Sequence, residues 1–394
     1  MFLGKRKFKI IVIVFLLIIA ICLLRYLCVS HIASDSRITD FISYWASGHL
    51  LLNGENPYSA ESIMHVQQSV GWTKDEPLVM YNPPWTLTFI LPFCAGDYFV
   101  AKFMWLIILL VILFICNHML WTYYNGCEEN RVLSLIAFGS FAPVYFMVSK
   151  GQIVPLILVG LVGFLHYNQK NKWWLAALFT IFLTIKPQIT YLFWISLLLW
   201  IFHHKNWAFL SALAGIHLVF MSLPLFFRFH TYIDYFSQMT SSSSAYLWAT
   251  PVLGTYLRLI FGGENYWLQF IPMIISIIWL FYYYAKGRQE WDWSREMPII
   301  LFVSLISTFY GWVNDYVLLL VALTQATGWT ISSKPAYRKK ILVVYIIVNI
   351  VFFAQYLMST GEHLLVWYVP ALFAIYLFLM KHVKQTVTIM ARLT

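Results

Sequence analysis

Few residues in this chain have the type and position to do chemistry. Asp40 stands about ten residues beyond a long apolar run, with Tyr44 one helical turn on. A carboxylate there can act as a general base at the level of the lipid headgroups. It can also be an ordinary helix-start acid complementing the dipole. Lys186, in Lys186-Pro187-Gln188, closes an apolar run with little positive charge nearby. An ammonium at such a place either grips a phosphate as a point charge or snorkels to the interface. Asp315 lies between two apolar runs, in Tyr310-Gly311-Trp312-Val313-Asn314-Asp315-Tyr316. An acid so flanked is costly, which makes a functional role the default and a plain turn acid the alternative.

Three further motifs punctuate the chain. Tyr81-Asn82-Pro83-Pro84 ends a polar stretch, and its two prolines fix the backbone as an apolar run begins. Gly151-Gln152 makes a tight turn between two apolar runs, where the glutamine serves a ligand or the turn itself. Arg228 and Arg258 flank a second polar stretch. They are spare candidates for phosphate or carboxylate, with headgroup contact as the alternative. The histidines are scattered without metal-ligand spacing, and no phosphate-cradling glycine loop or Cys/His zinc pattern occurs. Neither a metal nor a soluble cofactor is expected.

These groups must be held by membrane helices. Of 394 residues, 61% are hydrophobic and only 11% charged, against about 25% charged in a soluble domain. With a mean hydropathy of +0.73, a soluble enzyme, a disordered chain and a nucleic-acid-binding domain are all excluded. Five cysteines at irregular spacing make no disulfide framework and read as small buried hydrophobes. Lys5, Arg6, Lys7 and Lys9 precede an apolar stretch from Ile10 to about Val29. That stretch is long enough to span, and the charges before it put the N-terminus in the cytoplasm.

Apolar runs at 98–122, 131–148, 152–168, 173–186, 188–203, 207–226, 266–285, 297–312, 313–330, 340–358 and 364–380 follow. The expectation is an all-α, multi-pass protein of about twelve spans with both termini inside. Runs 84–95 and 251–262 are too short to span and read as re-entrant or interfacial. This threading puts eighteen basic and five acidic residues inside, and six basic and ten acidic outside. The net charge of +10 is therefore a topology signal.

Within this single membrane domain, residues 30–82 form the first outer loop and 227–250 the second. In the first, Phe41, Tyr44, Trp45, Gly48 and Leu52 form one helical stripe; in the second, Phe229, Tyr232, Ile233, Phe236 and Met239 do. Both suit the headgroup level. Gly54-Glu55-Asn56-Pro57 is a turn, and Ser59 caps a short helix to about Val70.

Taken in order, Asp40-Phe41, Tyr44, Asn53-Gly54-Glu55-Asn56-Pro57-Tyr58, Tyr81-Asn82-Pro83-Pro84, Gly151-Gln152, Lys186-Pro187 and the Trp312-to-Leu320 segment resemble glycosyltransferase family 87. The resemblance spans roughly residues 30–320. It departs from the family pattern at Asn56, at Ile153-Val154-Pro155 and at Asn314-Asp315, which leaves the sugar as mannose or another hexose.

The resemblance implies a GT-C fold and inverting transfer of a sugar from a polyprenyl-phosphate carrier. Asp40 would be the base and Lys186 a donor-phosphate ligand, with Arg228 and Arg258 as possible helpers. Tyr44, Tyr58, Tyr81, Asn82, Gln152, Gln188 and Asp315 would serve the substrates. The implied partners are the lipid-linked donor, a glycolipid or cell-wall polymer acceptor and membrane lipids, with no nucleic acid. The implied site lies on the outer face of the cell membrane. Two other classes remain open. A transporter or flippase would put its charges near the bilayer midplane. A polysaccharide polymerase or ligase would carry its large outer loop late in the chain.

Overall fold

The computed structural model describes residues 39–124, 126, 128–241, 248–333, 335–358 and 361–393. The apolar stretch from Ile10 to Val29 and its basic flank lie outside them. Among the described residues the chain is helical, without a strand. Four helices among the described residues are long and apolar enough to cross a membrane: Tyr98–Tyr123, Trp207–Phe226, Tyr266–Glu290 and Glu362–Lys381. A fifth is reached if Glu128–Gly139 and Ala142–Lys150, bent by 59°, form one span. The expectation of about twelve counted the first stretch and every apolar run except the two short ones. Several of those runs fold as shorter helices: Val154–Gln169, Trp173–Ile185, Tyr191–His204 and Leu342–Leu357.

The reason is breakage. After Trp173–Thr180 the chain tightens into a 3-10 turn, Ile181–Ile185, leaves the helical conformation at Lys186, and makes a second turn, Pro187–Ile189. Pro187 has no N–H to give, so the helix cannot run on. Irregular backbone among apolar helices needs its polar groups satisfied by neighbours. Thr190 Oγ1 donates to Leu183 O at 3.0 Å, and Asn82 Nδ2 to Ile185 O at 3.0 Å. Thr308 Oγ1 donates to Gln188 O and Ser304 Oγ to Ile189 O, each at 2.8 Å. The last two donors come from the end of helix Trp293–Ser307 and the residue after it, where a second break opens before Val313–Leu319. Two broken helices thus face each other.

The first loop differs from its expectation. Helix Phe41–Leu52 forms, but it is buried on nearly every side rather than lying at a headgroup surface. Between its aromatic positions stand Ile42, Ser43, Ala46, Ser47, Leu50 and Leu51, all small or apolar, and a helix without a polar face is a core helix. Phe41 stacks on Trp105 at 5.3 Å, and Trp45 meets the edge of Tyr98 at the same distance. At Gly48 a β-carbon would run into the Cys94 side chain, so glycine lets the helix sit this close to the turn Leu91–Cys94. Ser59 accepts from Ser62 N at 3.3 Å and caps helix Ala60–Ser69, as expected.

At the second loop helix, Thr231–Ser241, the expected stripe is split: Phe229, just before it, Ile233 and Phe236 are all more than 60% exposed, whereas Tyr232 and Met239 are half-buried and Tyr232 OH donates to Met221 O. Its other side carries Tyr235, whose ring lies 5.2 Å from that of Tyr58. The short runs fold as short elements, Pro84–Phe89 with Leu91–Cys94, and Leu253–Phe261. Cys94 and Cys116 are buried and free.

Candidate active site

The end of helix Phe41–Leu52, the break at Lys186 and the break before Val313 converge on one cavity of about 800 Å³. Of the residues singled out from the sequence, Asp40, Tyr44, Tyr81, Asn82, Gln152, Lys186 and Gln188 line it. They come from segments far apart in the chain.

Asp40 occupies the N-cap position, yet its side chain makes no capping bond. The carboxylate instead accepts from Gln152: Nε2 donates to Asp40 Oδ2 at 2.7 Å. Oδ1 has no hydrogen-bond partner among the described residues. The Gln152 amide is oriented in turn, because Tyr44 OH donates to its Oε1 at 3.0 Å. Burial, and then the Asp40 carboxylate, push the Tyr44 phenol far above its ordinary range, so it stays a protonated donor. The carboxylate is therefore held from the side and kept open.

Gly151 makes this arrangement possible. It ends helix Ala142–Lys150 with a left-handed φ of 66°, a conformation that favours glycine. A β-carbon there would meet Phe41 Cβ at 3.2 Å and Thr39 Oγ1 at 3.3 Å. Trp105 Nε1 ties its carbonyl from the far side at 2.8 Å.

Lys186 enters from the helix break. Its Nζ donates to Asp315 Oδ1 at 2.7 Å, and Asp315 Oδ2 accepts from Trp312 N at 2.8 Å. Asp315 is buried behind the lysine and does not itself line the cavity. An ammonium has three N–H donors, so one bond to Asp315 aims the group without exhausting it.

Three expected substrate or phosphate ligands do other work. Arg228 donates from Nε to Asp234 Oδ2 at 2.6 Å and from Nη1 to Gly54 O at 3.1 Å, joining the two loops away from the cavity. Arg258 is buried and donates from Nη2 to Trp248 O at 3.2 Å and from Nη1 to Gly263 O at 3.1 Å. Arg228 is thus committed to Asp234 and Gly54, and Arg258 to backbone carbonyls, and neither lines the cavity. Tyr58 is also buried; its OH donates to Asn82 O at 3.0 Å and supports that residue from behind.

Other lining groups went unread in the sequence. Trp248, Tyr310 and Trp312 join Tyr81 in an aromatic wall, with Trp248 5.7 Å from Tyr81 and 5.9 Å from Trp312, centre to centre. Trp312 Nε1 donates to Tyr310 OH at 2.8 Å. Lys150 is a second cavity lysine, and its Nζ donates to Glu362 Oε1 at 2.6 Å. Its signal was its place directly before Gly151-Gln152. Among the described residues no three His, Cys, Asp or Glu side chains converge as metal ligands.

A carboxylate with an open lone pair, a tethered ammonium and an aromatic wall can take a proton, stabilise an anion and hold a sugar face. The model of glycosyltransferase family 87 matches residues 80–308, which includes the Lys186 break and Gly151-Gln152 and begins after Asp40. No curated protein and no solved structure matches the chain.

Proposed function

Because this chain belongs to glycosyltransferase family 87, we propose that it moves a hexose from a polyprenyl-phosphate carrier to an acceptor hydroxyl, with inversion at the anomeric carbon. The hexose is mannose or another, and the acceptor is an envelope glycolipid or glycopolymer at the outer face of the cell membrane. One observation carries the reading. Asp40, engaged by Gln152 rather than by its own helix end, lines the same cavity as the tethered Lys186.

In this mechanism the acceptor oxygen attacks C1 of the sugar while Asp40 takes its proton. The bond between C1 and the phosphate oxygen breaks on the opposite face, and its electron pair leaves with the polyprenyl phosphate. The leaving group gains charge as it departs, and a cation already fixed in place stabilises it without reorganising. Lys186 supplies that cation, and Asp315 keeps it aimed. The Tyr44–Gln152 pair holds the Asp40 carboxylate toward the acceptor. Tyr81, Trp248, Tyr310 and Trp312 offer faces on which a sugar ring can stack. The carrier's tail stays in lipid, beside the apolar helices.

The test uses the purified full chain in proteoliposomes with undecaprenyl-phosphate mannose or undecaprenyl-phosphate glucose as donor. Asp40→Asn should lower turnover by about 10²- to 10⁴-fold, the range of a lost general base, while donor binding persists. Lys186→Gln should raise the donor KM and lower kcat. Normal turnover in Asp40→Asn would refute the base assignment. Donor translocation without sugar transfer by the wild type would favour the transporter reading.

A further inference from the structure

A transferase of this kind needs one cation for its leaving phosphate, and the cavity holds two lysines. Lys186 is placed for the donor by the reading above, on which this inference rests. Lys150 is separate in chain and setting. It is the last residue of helix Ala142–Lys150, two positions before the glutamine that holds Asp40. It is therefore on the side of the cavity where the base meets the acceptor. Its side chain is 29% exposed, so a ligand can reach it. Glu362 takes one of its N–H bonds, and Tyr356 lies under the ammonium at 5.7 Å. Both fix the position of the charge, and a tethered ammonium retains donors for an oxyanion. The pair also carries a cost. Glu362 Oε2 is buried and has no hydrogen-bond partner among the described residues, whereas both oxygens of Asp315 are bonded. A partly buried ion pair left half-satisfied gives weak support to the fold.

We propose that Lys150 binds an anionic group of the acceptor, so that the acceptor is an acidic glycan or lipid with a phosphate or carboxylate close to the attacking hydroxyl. Selectivity then comes from charge. A neutral acceptor leaves the ammonium with Glu362 alone, whereas an acidic one adds a charge-assisted bond. Such a bond supports a preference of about ten- to a hundredfold.

The experiment compares acceptors that differ in charge. The full chain in proteoliposomes, with undecaprenyl-phosphate mannose or glucose, is offered dodecyl glucuronide against dodecyl glucoside. In parallel it is offered a dodecyl glycerophosphate against dodecyl glycerol. The wild type should favour the acidic member of one pair by at least about tenfold in kcat/KM, and which pair responds tells carboxylate from phosphate. Lys150→Gln should bring that ratio near one by raising the acceptor KM, with the donor KM unchanged. Lys150→Arg should restore much of it. Glu362→Gln removes the counter-charge but keeps an amide oxygen to which the ammonium can donate, so Lys150 stays in place and the preference should survive.

Equal use of acidic and neutral acceptors by the wild type overturns the proposal. So does a raised donor KM in Lys150→Gln, which would make Lys150 a donor ligand. Loss of the preference in Glu362→Gln as well as Lys150→Gln overturns it too, because the pair would then be structural. Failure of the wild type to consume any donor refutes the transfer reading itself, a result distinct from these three.

Discussion

Two helices of this protein read alike in sequence and fold differently. Phe41–Leu52 and Thr231–Ser241 each carry a stripe of aromatic and apolar residues at helical spacing, in the two longest polar stretches. The first is enclosed on nearly all sides and carries the carboxylate at its head. The second turns Phe229, Ile233 and Phe236 outward and only Tyr235 into the cavity. The difference lies between the stripes. Where the intervening residues are mostly Ile, Ser, Ala and Leu, other elements can close over the helix. Where they include Asp234, Ser237 and Gln238, one face stays open. On the proposed mechanism, the proton-transfer group gains a rigid support and the lipid substrate an open face to approach.

The comparison can be broken most severely at Gly48. Replacing it with Val puts side-chain atoms into Cys94 and should cost about 1–3 kcal/mol by overpacking. Thermal unfolding of the full chain in detergent would register this as a lower Tm, with activity falling in step. An unchanged Tm would mean the first helix is not wedged as described. Next comes the support of the carboxylate. Gln152→Leu removes the donor to Asp40 and should lower kcat about tenfold or more with little change in donor KM, because a bond to a charged group is lost. Tyr44→Phe acts one step further out and should cost less, about two- to tenfold in kcat. Equal losses in both variants would contradict a relay in which the tyrosine acts through the glutamine. The smallest effect belongs to the other helix. Phe229→Ser with Phe236→Ser should leave unfolding in detergent within about 0.5 kcal/mol, as exposed substitutions do. The same variant should lose part of its activity toward donor presented in vesicles. A clear loss of stability in detergent would show that this face is packed, not open.

The legible part of the site was the part marked by backbone punctuation. Asp40 at a helix start, Asn82 before two prolines, Gln152 after a left-handed glycine and Lys186 before Pro187 all stand where the chain must turn. All four line the cavity. The aromatic wall was illegible for the opposite reason: Trp248, Tyr310 and Trp312 are three among 75 aromatic side chains. Arg228 and Arg258 were misleading because charge alone was visible, while the carbonyls that occupy their forks belong to Gly54, Gly263 and Trp248. Helicity was plain from composition, but the number of spans was not. An apolar run looks the same whether it crosses a bilayer or stops at a break, and only the Ser, Thr and Asn donors facing each break reveal which.

Those facing breaks also set an order of events during synthesis. Asn82 precedes the break at Lys186 and can serve Ile185 as soon as that segment emerges. Asp315 follows Lys186 by 129 residues, and Ser304 and Thr308 trail their carbonyl partners by 115 and 120. At about 5–20 residues per second, the lysine waits roughly 6–25 seconds in the nascent chain without its counterion. An ammonium without its counterion is costly in a bilayer core, so a wet setting favours the first half of the site until the second half arrives. The cavity is thus a product of completion: a chain stopped before residue 304 contains Asp40, Gln152 and Lys186 but has no closed break to hold them.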